Sequence, residues 1–231
     1  MRVLLVAPQD DNRRRIAAAF ASTEAVIDTV CGPDEAVELG RRSAYDLILL
    51  AYDEVANDLR RLRLSGIVTP VIWLSIASAM EDRVLALGLG ADDCLELGMC
   101  ATELIARSRS VVRRARGHAA ATIRIGDLEI DMAAQTVVFA GRRLRITGKE
   151  FALLELLALR RGAVVSRETI MDHLYGGPEE PVAKIIDIHV CRIRRKLAEV
   201  APGEMPLRTV WGRGFLLSAP AFAAGASPMA A

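Results

Sequence analysis

Five short apolar runs separated by five helical patterns occupy the first 116 residues, and this alternation constrains the fold more than any other feature. Val3–Val6, Val26–Val30, Leu47–Leu50, Val71–Ser75 and the weaker Asp93–Leu97 read as strands. Asn12–Ala21, Pro33–Arg41, Asn57–Leu64, Glu81–Leu87 and Thr102–Arg114 read as helices. Strands that are apolar along their whole length need cover on both faces, and intervening helices supply it. Residues 1–116 are therefore expected to form an α/β domain, a five-stranded, doubly wound parallel sheet.

The rhythm breaks at Arg113–Thr122 (RRARGHAAAT), where apolar periodicity stops. A linker is expected over 117–122 and a second, α+β domain over 123–220. There Ile123–Ile130, Thr136–Phe139 and Leu144–Ile146 look like short antiparallel strands, with Ala140-Gly141 as a turn. Thr147 followed by Glu150 is a capping-box spacing that opens a helix reaching about Gly162. A second helix begins at Ser166-x-Glu168 and ends near Tyr175, and a third runs from about Pro181 to Val200. Thr209–Ser218 (TVWGRGFLLS) reads as a hairpin with Gly212-Arg213-Gly214 at its tip. The uncharged, Ala-rich tail 221–231 is expected to be disordered.

Composition narrows the function classes. The chain is 52% hydrophobic and 26% charged, which is globular rather than disordered. Its longest apolar runs, such as Leu47–Ala51 and Val71–Leu74, are too short to span a bilayer, and no secretion signal opens the chain. A cytoplasmic protein with no membrane partner is expected. Cys31, Cys94, Cys100 and Cys191 are scattered without paired spacing or nearby histidines, so reduced thiols are expected and no metal site or cofactor. No phosphate-cradling glycine loop follows any strand and no catalytic grouping converges, so an enzyme is not expected.

The net charge of +1 hides an asymmetry, with −2 on residues 1–121 and +3 on residues 122–231. On the third helix of the second half, Ile186, Val190, Ile193 and Leu197 form a narrow apolar stripe. Lys184, Ile188, Cys191, Arg192 and Arg195 fall opposite, with His189, Arg194 and Lys196 on the flanks. Charge alone also fits an ordinary solvated helix with cations near its C-terminus. The full order (small sheet, three helices, basic third helix, glycine-flanked arginine hairpin) selects a winged helix-turn-helix binding double-stranded DNA, the helix in a major groove and Arg213 reaching beside it.

Leu144–Phe151 (LRITGKEF), Ile186–Leu197 (IDIHVCRIRRKL) and Thr209–Leu216 (TVWGRGFL) resemble the effector domain of OmpR/PhoB-type response regulators. Pro181–Leu197 and Val210–Gly214, with Met1–Val6, Gly90–Asp93 and Gly117-His118, are similar to the CtrA-like cell-cycle regulators of that family. The resemblance implies promoter direct repeats as the target, RNA polymerase as a candidate partner, and DNA contact through Lys184, His189, Arg192, Arg194, Arg195 and the wing's Arg213, with Ile188 on the same face.

It also implies a receiver domain, from whose pattern residues 1–116 depart. Receivers phosphorylate an aspartate after the third strand, hold magnesium on acids after the first, and use a lysine after the fifth. The phosphoacceptor position here is Ala51, the acidic cluster is replaced by Ala7-Pro8-Gln9, and the lysine-proline pair by Leu97-Gly98. Cys94 takes the aromatic switch position, while the hydroxyl position survives as Ser75. A shifted alignment cannot supply the lysine, because residues 1–148 contain none. Arginine is a poor substitute for a compact ammonium. Asp53, with Asp10 and Asp11, is the one displaced acidic alternative. A pseudo-receiver acting independently of aspartyl phosphorylation is expected.

In the family, receivers pair through the face of the fourth helix, fifth strand and fifth helix. Arg83, Asp93, Glu103 and Arg107 match ion-pairing positions there, and Leu85 and Leu89 share the helix of Arg83. A phosphate-independent homodimer is expected. Two alternatives are a protein-interaction regulator that pairs with a true response regulator, and an atypical receiver phosphorylated at Asp53.

Overall fold

The computed structural model describes residues 1–76, 79–160, 162–176, 184–203 and 205–219. Strands β1 (Arg2–Val6), β2 (Val26–Val30), β3 (Leu47–Leu50), β4 (Val71–Ser75) and β5 (Asp93–Glu96) form a parallel sheet in the order β2-β1-β3-β4-β5. Every residue of β3 and β4 is buried, as the apolar runs Leu47–Leu50 and Val71–Leu74 require.

Alternation sorts these side chains into two layers. Val3, Leu5, Leu47, Leu49, Ile72 and Leu74 meet α1 (Asp10–Phe20) and α5 (Ala101–Ala115). Leu4, Val6, Ile48, Leu50, Val71 and Trp73 meet α2 (Pro33–Arg42), α3 (Ala56–Leu64) and α4 (Met80–Gly88). The doubly wound sheet expected from the sequence is present.

In the second half β6 (Thr122–Ile125), β7 (Leu128–Asp131), β8 (Thr136–Phe139) and β9 (Arg142–Leu144) form an antiparallel meander. The single strand expected over Ile123–Ile130 is in fact the β6–β7 hairpin. It folds back at Gly126, whose φ of 58° breaks the extended run. Ala140 and Gly141 turn the chain between β8 and β9 with φ of 46° and 73°. The last strand ends at Leu144, earlier than expected, before the chain enters the extended cap at Thr147.

Helix α6 (Gly148–Leu159) is apolar on nearly every face because the meander covers one side while α7 (Arg167–Tyr175), α8 (Lys184–Val200) and β11 (Gly214–Leu217) cover others. β11 pairs antiparallel with β10 (Leu207–Val210), making the wing. The expected helix start at Pro181 and the tail 221–231 lie outside the described residues. Helix α7 also packs on β1 and β2, so the two halves share a surface.

Candidate nucleic-acid interface

Local sequence positions α8 through its caps and neighbours. Thr147 and Glu150 cap α6 reciprocally: Glu150 Oε2 accepts from the Thr147 amide at 2.9 Å, and Thr147 Oγ1 from the Glu150 amide at 3.4 Å. Lys196 Nζ lies 2.5 Å from Glu150 Oε2 and so ties α8 to the start of α6. Burial opposes the Glu150 charge, but Lys196 and the Thr147 amide outweigh it and hold this carboxyl below its ordinary range. Ser166 Oγ accepts from the Thr169 amide at 3.1 Å to begin α7.

The stripe Ile186, Val190, Ile193 and Leu197 enters the core, and Lys184, Ile188, Cys191, Arg192 and Arg195 are exposed opposite it. Across the wing turn Val210 pairs with Gly214, and the Arg213 amide donates to the Val210 carbonyl at 2.9 Å. Gly214 has φ of 135°, and a Cβ there would strike the Val165 carbonyl. Val165 and Phe215 exchange backbone hydrogen bonds at 2.8 and 2.9 Å, anchoring the wing to the chain just before α7. Arg213 is exposed at the tip.

Two residues expected at this surface are placed elsewhere. His189 is buried, its Nε2 2.7 Å from the Tyr175 hydroxyl and its ring stacked on that tyrosine. Burial pushes its pKa down, so it is a neutral packing residue. Arg194 turns toward the wing, donating from Nε and Nη2 to the Leu207 carbonyl at 3.1 Å and from Nη2 to Thr209 Oγ1 at 2.7 Å. Its role in the structure is to brace the wing against α8.

Sequence reasoning missed Trp211, which is 90% exposed beside Arg213. It also missed Arg167, which stacks on Phe215 at 4.7 Å and pairs with Asp187 at 2.9 Å near the exposed face of α8. An aromatic at a hairpin tip was the available signal for the first. Nothing local in the sequence marked the second.

At the carboxyl ends of the parallel strands, Ala7, Ala51 and Leu97 are all buried. Arg13 reaches back from α1, its Nη1 2.5 Å from the Ala7 carbonyl and 3.2 Å from that of Pro8. It also pairs with Asp10, while Asp11 pairs with Arg14. The Ile76 amide donates to Asp53 Oδ1 at 2.9 Å. Cys94 is half-buried, and burial with Asp93 nearby pushes its thiol up to about 11. Among the described residues no group of three or more His, Cys, Asp or Glu could hold a metal ion, and no helix is long and apolar enough to cross a membrane.

On the expected pairing face, Arg83 meets Glu96 at 3.2 Å, and Arg107 meets Asp93 at 3.4 Å and Glu103 at 2.8 Å, all within one chain. Leu85 is 49% exposed, but Leu89 is turned inward against the cluster around Trp73. Met80, Val84 and Leu87 are the further exposed apolar residues of α4.

A doubly wound parallel sheet joined to a winged helix whose third helix exposes Lys184, Arg192 and Arg195 is the architecture of a response regulator with a DNA-binding C-terminal domain. Residues 141–217 match the family model "Transcriptional regulatory protein, C terminal". The chain is 41% identical over 224 residues to the "Cell cycle response regulator CtrA" of Brucella ovis, covering 95% of this chain and 97% of that one. The Brucella anthropi protein of the same description matches to the same extent. Among solved structures, the Thermotoga maritima OmpR/PhoB homologue DrrB is similar over 94% of this chain and 98% of its own, at 22% identity and a TM-score of 0.42. The DNA-binding domain of CpxR from E. coli is similar over 44% of this chain and 100% of its own, at 37% identity and a TM-score of 0.38. The chain belongs to the OmpR/PhoB family of response regulators, with CtrA-like relatives.

Proposed function

We propose that this protein is a sequence-specific transcription regulator that binds promoter direct repeats as a dimer and works independently of aspartyl phosphorylation. Residues 1–116 act as a pseudo-receiver and 122–220 as the DNA-binding domain, joined by 117–121, because Thr122, expected in the linker, already belongs to β6 and pairs with Asp131. In the groove, Arg192 and Arg195 face base edges or phosphates, Lys184 contacts the backbone, and Ile188, 47% exposed, meets a thymine methyl. Arg213 and Trp211 act from the wing.

The observation that carries phosphorylation independence is Arg13. Its guanidinium lies on the Ala7 carbonyl, the end of the sheet where a receiver holds its cation. A divalent ion does not fit there: the positions after β1 hold the non-acidic Ala7-Pro8-Gln9, Asp10 and Asp11 are paired with arginines, and a fixed positive charge already lies on the nearest carbonyl. Ala51 offers no nucleophile, and the nearest lysine in sequence, Lys149, belongs to α6.

For the dimer, the apolar side chains of α4 supply contact area through Leu85 and its exposed neighbours, and Arg83, Asp93, Glu103 and Arg107 re-pair between subunits. Exposed ion pairs contribute only about 0–1 kcal/mol each, so the apolar contact carries most of the association. Leu89 has no part in it. A mobility-shift assay tests the reading: binding to a direct-repeat site should fall steeply with salt and be lost in an Arg192→Ala, Arg195→Ala double variant. Undiminished specific binding by that variant would remove α8 as the reading element.

A further inference from the structure

Where α7 rests on the sheet, ionisable groups from both domains meet in a buried cluster remote from the wing and from the strand ends described above. Asp46, at the start of β3, and His173, on α7, are both almost fully buried. His173 Nδ1 is 3.1 Å from Asp46 Oδ2, and His173 Nε2 is 2.9 Å from the Met1 amine. Asp46 also accepts from the Arg2 amide at 2.8 Å and from Arg116 Nη2 at 3.2 Å. Around this centre Arg2 bridges Asp28 at 2.9 Å and Asp172 at 3.4 Å, and Lys149 pairs with Glu24 at 3.1 Å. Glu155 and Arg160 of the second half also act on the cluster electrostatically. Two glycines permit the close approach: a Cβ on Gly148 would run into Glu24, and one on Gly176 would meet Val26 at 2.8 Å.

We propose that Asp46 and His173 form an interdomain latch that clamps the winged helix to the pseudo-receiver, opens on acidification, and must open in at least one subunit on direct-repeat DNA. The last clause rests on the function proposed above and follows from symmetry. A twofold receiver pair with rigidly docked effector domains would present two inverted winged helices, whereas direct repeats need both in one orientation. Breaking one latch resolves the conflict.

The acid response follows from the proton inventory. Because Nε2 faces the Met1 amine, a donor when charged, the ring donates from Nδ1 to Asp46 and is neutral in the docked form. A second proton would set two cations side by side in a dry interface. Burial, then the Met1 amine, lowers the His173 pKa, while Asp46 stays ionised because His173, the amine and the Arg2 amide outweigh its own burial. The docked form therefore binds fewer protons than the released form. The neutral ring's contribution to docking is fully present above the ordinary histidine value of about 6.5 and is lost as pH falls below it.

Small-angle scattering of the full chain tests the latch without DNA. Lowering the pH from about 7.5 to about 5.5 should expand the particle, the docking equilibrium falling by about tenfold, while each domain stays folded. His173→Gln should abolish the pH response. Glu24→Arg, a half-exposed change that sets like charge against Lys149, should expand the particle at both pH values and covers the case in which the His173 variant fails to fold. A wild-type particle of constant size across this range, or a Glu24→Arg particle as compact as wild type, overturns the latch.

The DNA clause has its own readout at fixed neutral pH. A zero-length carbodiimide cross-link between Lys149 and Glu24 forms only when the domains are docked, and direct-repeat DNA should lower its yield by about half or more. An unchanged yield in a DNA complex overturns that clause. If no DNA binds at all, the function proposed above fails, and the scattering still judges the latch.

Discussion

Arg194 Nη2 lies 2.7 Å from the Thr209 hydroxyl, and the same guanidinium donates to the Leu207 carbonyl at 3.1 Å. Helix α8 thus holds the wing by an arginine that points away from the exposed cationic face of Arg192 and Arg195. Neighbouring arginines on one helix should therefore behave differently. Arg194→Ala leaves a strand carbonyl without its partner and should cost about 1–3 kcal/mol of stability, read by thermal melting of the full chain. Arg192→Ala should leave the melt unchanged and weaken DNA binding by about 1–3 kcal/mol, roughly five- to 150-fold. Equal effects of the two changes on melting would contradict this division.

The two tryptophans differ sharply in environment. Trp73 is 2% exposed and donates from Nε1 to the Tyr52 carbonyl at 2.6 Å, while Trp211 is 90% exposed at the wing turn. Intrinsic fluorescence should contain one long-wavelength component from Trp211, quenched or blue-shifted when DNA covers the wing. Trp211→Phe should remove that response, and Trp211→Ala should weaken binding by about tenfold through lost apolar contact. A DNA-induced change that persists in Trp211→Phe would place the wing tip off the DNA.

Glu150 is 1% exposed and depends on Lys196 and the Thr147 amide for its charge. Its carboxyl is lowered in the folded state, so this contribution is fully present above the unfolded value of about 4.3 and is lost as pH falls through the folded one. Lys196→Met removes the partner of a buried carboxylate and should cost about 3 kcal/mol near neutral pH, with the deficit shrinking in acid. Urea melts of both proteins across pH measure it. A deficit that stays constant down to acid pH would mean that Glu150 is not the group responsible.

Dimerisation should be visible by analytical ultracentrifugation at micromolar concentration with no phosphodonor present. Leu85→Glu should shift the protein toward monomer, whereas added salt should have a small effect because the ion pairs of Arg83 and Arg107 are exposed and already satisfied within each chain. A monomer at these concentrations would contradict the proposed dimer.

Much of the fold was legible because burial on two faces leaves a plain mark: Leu47–Leu50 of β3 and Val71–Leu74 of β4 are continuous apolar runs, and the α6 cap is the three-residue spacing of Thr147 and Glu150. The apolar stripe of α8 was legible for the same reason. What escaped depends on partners remote in sequence. Helical spacing puts His189 on the flank of the exposed side of α8, but Tyr175 from α7 draws it inward. Periodicity likewise could not show that Arg194 meets β10, or that Leu89 at the C-cap of α4 packs beside Trp73. Gly126 hid a turn inside an alternating run, because glycine breaks a strand only through its φ. The Asp46–His173 contact joins residues far apart in the chain, and neither stands in a recognisable pattern.

The central claim is that this chain binds its DNA without an aspartyl phosphate. It is tested most directly by measuring affinity for a direct-repeat site before and after incubation with acetyl phosphate and magnesium, with the intact mass recorded on the same samples. The expected result is one unchanged mass and one salt-dependent affinity, identical in both samples, with the affinity lost in the Arg192→Ala, Arg195→Ala variant. An added phosphoryl group, carried on Asp53 or elsewhere and accompanied by tighter DNA binding, would contradict it.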